Sequence, residues 1–264
     1  MTMQTTPEIA TRRDVLMIAG ATVAAGATAQ ALGTTAFAQT AAGKIKAIGF
    51  DAFTIFDPRS VDAVIDEVFP GKGNQLATAW RVRIFEYCWL RTLNQTYVDF
   101  WQVLDDALTF AFKSAKIELK PEARDKFMTA FLQLKVWPDS IDALKAMRQE
   151  NIRLAYVSNL TPKMLTTVSQ NAGIADLFEH VLSTDRVKAY KSDPRAYQMA
   201  ETAFQLPREN IVFAAFGGWD AAGAKSFGLN TFWVNRVNAP LEELGVKPDA
   251  IGSTLAELAK YVIA

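Results

Sequence analysis

From Pro138 to Asn235 the chain alternates apolar strands with helices, and few folds accommodate that rhythm. Ile152–Val157, Val181-Leu182-Ser183, Ile211–Ala215 and Thr231–Asn235 read as short strands. Pro138-Asp139-Ser140 starts a helix through Gln149, and Thr161-Pro162 opens another to about Ala172. Pro194 to Phe204 and Trp219 to Phe227 are helical. A strand that is apolar along its length, as at Ile211–Ala215, is covered on both faces. Strands and helices in alternation then predict a parallel α/β sheet between layers of helices. Lys46–Phe50 is one more such strand, near the start of the mature chain.

The segment between that first strand and Pro138 has a different character. Phe56–Ser60 reads as a turn, with Ser60 placed to cap a helix from Val61. From there to about Leu134 the pattern is helical and nothing reads as a strand. Trp80, Ile84 and Cys88 share one helix face, with Phe85 and Trp89 beside them. Phe100, Leu104, Leu108 and Phe112 repeat that spacing on a later helix. This predicts a helical insertion over 58–135, carried by a sheet domain built from 45–57 and 136–264.

The first 38 residues stand outside that fold. Thr11-Arg12-Arg13-Asp14-Val15-Leu16-Met17 pairs two arginines with a mild apolar run rich in Ala, Gly and Thr, and Ala36-Phe37-Ala38 offers a small-x-small cleavage site. This is the layout of a bacterial twin-arginine signal peptide. Thr22, Thr28 and Gln30 interrupt the run, so a membrane anchor is the poorer reading. A periplasmic protein without stable membrane association is expected.

Composition narrows the chemistry. The 28 basic and 28 acidic residues balance and form no basic patch, so no nucleic-acid partner is expected. Cys88 is the only cysteine and lies among aromatics, which suits a packed thiol rather than a nucleophile. His180 is the only histidine, at a strand entry, so mechanisms that need several histidines have little to draw on.

Asp51 ends the first strand, where open α/β sheets bind ligands, and a carboxylate there can act as a covalent nucleophile. Two residues on stands Phe53. A phosphate-transferring site would want an acid there to protonate a leaving oxygen. An apolar residue suits a leaving group that needs no proton, such as a halide. Ser158-Asn159, Lys191 and Asp220 fall at successive strand ends and converge near Asp51 by the same rule.

These residues resemble the L-2-haloacid dehalogenases (type II) of the haloacid dehalogenase superfamily, over essentially all of residues 46–263. The most specific stretch is Leu76–Arg91, which is similar to a cap helix of those enzymes. Tyr97–Phe100, Val157-Ser158-Asn159, Tyr190–Asp193 and Trp219–Ala224 match as well. The resemblance implies a Rossmannoid parallel-sheet core with a helical cap inserted after the first strand. It implies hydrolysis of the carbon–halogen bond of small 2-haloacids through an ester on the nucleophile, giving 2-hydroxy acids, with no cofactor and no metal. By that resemblance Asp51 attacks the carbon, and Arg81 receives the halide with Asn159 and Phe100. Ser158 and the backbone around Ala52, Phe53 and Thr54 hold the substrate carboxylate, and Lys191 neutralises Asp51. Tyr197 and Asp220 support the attack of water, and Trp219 helps exclude solvent. The resemblance also implies homodimers through cap helices, although the aromatics from Trp80 to Trp101 serve equally for packing within one subunit.

Two departures qualify the match. The family has a glycine before its threonine, whereas Phe53 runs straight into Thr54 and shortens the loop by one residue. The family also has a Ser and an Asn ahead of its Trp-Asp pair that help place the water. Ala215 and Gly217 stand there, and losing one preorganised polar group costs about 10²–10³ in rate. Two other readings therefore stay open: a superfamily hydrolase such as a phosphatase, and a catalytically weakened periplasmic protein that binds a small carboxylate.

Overall fold

A computed structural model describes residues 45–264; the export signal read in residues 1–38 lies outside them. The chain opens with β1 (Ala47–Phe50), a 3-10 turn at Ala52–Thr54 and β2 (Phe56–Asp57). The helices α1 (Arg59–Val68), α2 (Gly73–Leu93), α3 (Phe100–Ser114) and α4 (Pro121–Ala130) follow, then β3 (Lys135–Val136). The remainder is α5 (Ser140–Gln149), β4 (Arg153–Ser158), α6 (Pro162–Asn171), β5 (His180–Ser183), α7 (Pro194–Phe204), β6 (Ile211–Ala215), α8 (Gly218–Phe227), β7 (Asn230–Val234), β8 (Ala250–Gly252) and α9 (Leu255–Ile263).

Six strands form one sheet in the order β5-β4-β1-β6-β7-β8, and every pairing is parallel. The centre of the sheet is buried on both faces, as the unbroken apolar runs require. Along β1, Ile48 and Phe50 face one core with Leu154, Tyr156, Val212 and Ala214. Ala47 faces the other, with Ala155, Val157, Ile211, Phe213 and Ala215. The two cores follow from the two-residue alternation of strand side chains.

The predicted helical block is present and is entered and left through a small ribbon. β2 and β3 pair antiparallel, Phe56 with Val136 and Asp57 with Lys135. Phe56–Asp57, read as turn from sequence, is thus a strand; two residues are too few to show a period. Ser60 does not cap α1. It lies inside the helix, and its hydroxyl donates to the Asp57 carbonyl at 2.7 Å. α3 is capped by Asp99, whose carboxylate accepts the Gln102 N–H. The face read on α2 is buried at Trp80, Ile84 and Cys88, and Trp80 Nε1 donates to the Leu104 carbonyl on α3 at 2.8 Å.

β8 and α9 follow β7, beyond the alternation that the sequence shows from Pro138 to Asn235. β8 has three residues and no legible pattern. α9 did carry a signal: Thr254 and Glu257 form a reciprocal capping box. Cys88 is buried, and burial pushes its thiol pKa well up, which leaves it a packing group. His180 begins β5 with its ring edge-on to Phe204.

The turn after β1 is braced from several directions. Arg236, just past β7, donates to the Thr54 carbonyl at 2.7 Å and pairs with Asp139. Asp139 also accepts the Leu255 N–H that begins α9. Trp137 Nε1 donates to the Phe53 carbonyl at 3.0 Å. These contacts tie the shortened loop to the residues just after β3 and β7 and, through Asp139, to the start of α9. No residue from Asp51 to Asp57 has a positive φ, so the loop needs no glycine.

Candidate active site

Asp51 sits at the carboxyl end of central β1, where its own N–H still pairs with the Ala214 carbonyl at 2.9 Å. The residue is only 8 % exposed. Oδ1 accepts the Phe53 N–H at 2.8 Å, and Oδ2 accepts from Lys191 Nζ at 2.8 Å. The Phe53 amide, one of those expected to hold a substrate carboxylate, is therefore spent on Asp51. Thr54 is fully buried and turns its hydroxyl onto the Asp51 carbonyl at 2.7 Å, and Ala52 is buried beside it. Both shape the turn rather than face open space.

Lys191 comes from the segment before α7 and is completely buried. Its ammonium bridges Asp51 and Asp220, with the Asp220 contact at 2.9 Å. Burial pulls the Lys191 pKa down, but Asp220 and Asp51 outweigh it and hold the group above its ordinary value. Asp220 lies in the first turn of α8, where a helix N-terminus favours a carboxylate. Burial nonetheless pushes its pKa up to about 7, with Lys191 and Tyr197 pulling the other way. The Tyr197 hydroxyl donates to Asp220 Oδ1 at 2.8 Å, and burial raises its own pKa well above the ordinary value. Gly223 makes room for that hydroxyl: a Cβ there would stand 2.5 Å from it.

Ser158 and Asn159 end β4 in the same region. Asn159 Oδ1 accepts the Lys191 N–H at 3.2 Å, while the Ser158 hydroxyl accepts the Leu160 N–H. Over these groups lies a cavity of about 80 Å³, with room for a molecule of a few heavy atoms. Asp51, Ser158 and Asn159 form its polar part. Phe53, Phe85, Phe100, Phe216 and Trp219 wall it. The sequence reading missed Phe85 and Phe216. Phe216 was accessible to it, being the first residue after β6; Phe85 was not, because only packing aims that face of α2 at the sheet.

Arg81 stands apart from this group. It opens on a second cavity of about 50 Å³ that shares the walls Phe53, Phe85, Phe100 and Phe216 but not Asp51. There it pairs with Asp62 of α1.

A haloacid dehalogenase-like hydrolase family matches residues 15–228. The chain belongs to that family. An (S)-2-haloacid dehalogenase of Pseudomonas sp. (strain YL) is 40 % identical over 206 residues, covering 78 % of this chain and 89 % of that protein. Haloacetate dehalogenase H-2 of Moraxella sp. (strain B) is 38 % identical over 207 residues, covering 78 % and 92 %. Among solved structures, the L-2-haloacid dehalogenase of Xanthobacter autotrophicus with chloropropionic acid covalently bound superposes with a TM-score of 0.77 at 29 % identity. That match covers 83 % of this chain and 98 % of the other.

In this dehalogenase-like family member, Ala215 and Gly217 stand ahead of Trp219-Asp220. Ala215 is buried at the end of β6, and Gly217 is the residue before α8. The Trp219 indole rests against Gly217: a Cβ there would meet Nε1 at 2.7 Å. Phe85 and Trp89 of α2 hold that indole from the far side, with ring centroids 5.2 and 5.5 Å away. Space that a larger residue 217 would need is taken by the indole.

Proposed function

We propose that the protein hydrolyses small (S)-2-haloacids through an ester on Asp51. One observation carries this reading: a buried carboxylate, with a charged lysine on one oxygen, faces an apolar-walled cavity and has Phe53 where a proton donor would stand. In the first half, an Asp51 oxygen attacks C2 of the haloacid and the carbon–halogen bond breaks, releasing halide. In the second, water attacks Cγ of the ester and gives a proton to Asp220, the C–O bond from Cγ to the ester oxygen breaks, the leaving oxygen takes that proton from Asp220, and the Asp51 carboxyl releases its own to solvent. The 2-hydroxy acid leaves, and Asp51 is regenerated. The aromatic walls keep bulk water from the nucleophile, which strengthens a carboxylate that water would otherwise blunt. Dehalogenases similar in sequence and the covalent complex of the Xanthobacter autotrophicus enzyme support the reading.

The test is chloride release from (S)-2-chloropropionate without added metal, with mass spectrometry of the Asp51 peptide during turnover. Neither chloride nor an adduct would end it. Ala215 and Gly217 favour a slow second half, in which case the adduct accumulates while steady-state release is low. Asp220 sets the pH dependence. It must be ionised to take a proton from water, and burial raises its pKa to about 7. Turnover should rise with pH through the burial-raised pKa of Asp220, which in the ester lies below its free-enzyme value because the Asp51 charge is gone, and fall tenfold per unit well below it. A flat profile from pH 5 to 8 would remove Asp220 from that role.

The helices 58–135 would act as a cap over the cavity, and a second copy of this chain would pair on them. The exposed apolar side chains Val82, Leu90, Leu93 and Phe110 support this; Leu93 is 78 % exposed. Leu93→Glu should convert a dimer to a monomer by light scattering, and an already monomeric wild type would refute the pairing. Export through the twin-arginine route is read from Arg12 and Arg13. Replacing both by Lys should retain a reporter fused to residues 1–38 in the cytoplasm; undiminished export would count against it.

A further inference from the structure

The pair formed by Asp62 and Arg81 is the feature that the proposed reaction leaves unexplained. Asp62 lies in the first turns of α1 and Arg81 in the middle of α2, so their contact crosses two cap helices. The side chains are 28 % and 43 % exposed, and the guanidinium donates to Oδ2. Both line the smaller cavity, whose remaining surface is almost wholly apolar. No other acidic residue lines it. The larger cavity, which contains Asp51, shares Phe53, Phe85, Phe100 and Phe216 with this one. In this state the guanidinium is neutralised beside the reaction cavity rather than free for an anion within it.

We propose that Asp62 is a positioning residue that competes with the departing halide for Arg81. The proposal rests on the dehalogenase reading above and on the halide-receiving role that the family resemblance implies for Arg81. A part-exposed ion pair is weak, because water screens it and two long side chains are ordered to make it. Such a pair holds the guanidinium at rest and yields to an anion that arrives in a drier place. Arg81 passes from Asp62 to the halide as the carbon–halogen bond breaks, and returns to Asp62 as the halide leaves. Asp62 thereby lowers the affinity of the free enzyme for halide and speeds its release. An uncharged residue at position 62 leaves the guanidinium without its competitor, so halide is held more tightly.

The test is inhibition by sodium bromide of 2-hydroxy acid formation from (S)-2-chloropropionate, with sodium sulfate at matched ionic strength as control. Wild type, Asp62→Asn, Asp62→Ser and Asp62→Glu are compared, each with a thermal melt. Asp62→Asn and Asp62→Ser should lower the bromide inhibition constant about twofold to fivefold, the range expected for loss of a weak part-exposed pair. Asp62→Glu should keep the wild-type value, because it keeps the competing charge. Damage to the cap would raise the constant, so the direction of change separates competition from mere support. An unchanged or raised constant in the uncharged variants of an active enzyme overturns the role of Asp62 and leaves the reading of Asp51 intact. A wild type that forms no 2-hydroxy acid ends both.

Discussion

Asp51→Asn should reduce halide release from (S)-2-chloropropionate by about 10⁴-fold or more in kcat, in line with removal of a covalent nucleophile elsewhere. The substitution keeps the shape of the side chain and leaves an amide oxygen for the Phe53 N–H or the Lys191 ammonium, which lie 2.8 Å from the carboxylate in the native protein. Folding should therefore survive, and KM should change far less than kcat. A neutral amide offers carbon a far weaker nucleophile, so the adduct seen on the Asp51 peptide should vanish with the activity. Halide release within tenfold of wild type would show that another group makes the bond.

Lys191→Met should have the second largest effect, and it should be felt in stability as well as rate. The ammonium has no exposed surface and separates two carboxylates, at 2.8 and 2.9 Å. Taking away one partner of a buried charge cluster costs about 3–5 kcal/mol, because the remaining charges lie unpaired in a poor solvent for them. Here two like charges would face each other, and one must take a proton. The pKa of Asp220, already raised by burial, would rise further without Lys191. An acid whose folded pKa lies above its unfolded value adds stability at low pH and loses it as pH rises through the folded pKa. The stability gap to wild type should thus be smaller at pH 5 than at pH 8 in urea melts. A gap independent of pH would mean that Lys191 is not the counter-charge. Turnover at pH 7 should fall by at least about 10²–10³, the usual cost of one preorganised electrostatic group.

How much of this is legible in the sequence depends on the length scale of each signal. Lys191, Asp51, Asp220 and Asn159 were readable because each ends or follows a strand, and parallel strands bring their carboxyl ends together whatever the loops do. The helical block was readable because its helices carry apolar residues at regular spacing for ten to 21 residues. The ribbon of β2 and β3 escaped because its strands have two residues each and pair across nearly 80 positions of chain. Ser60 illustrates a local rule overtaken by its surroundings: a serine there suits a cap for a helix from Val61, yet the helix begins two residues earlier, at Arg59, and the hydroxyl turns back to the Asp57 carbonyl.

The sequence by itself determined the α/β sheet, the helical insertion after β1 and the identity of the acids and the lysine that meet at the carboxyl ends of the strands. Those follow from strand periodicity and chain direction, which are properties of neighbouring residues. Only the tertiary structure decided that the Phe53 amide serves Asp51, that the Trp219 indole takes the space beside Gly217, and that Arg81 rests on Asp62. Each of those depends on which distant side chain arrives first at a given donor or void. That competition is settled by packing between helices and sheet, and no stretch of neighbouring residues encodes its outcome.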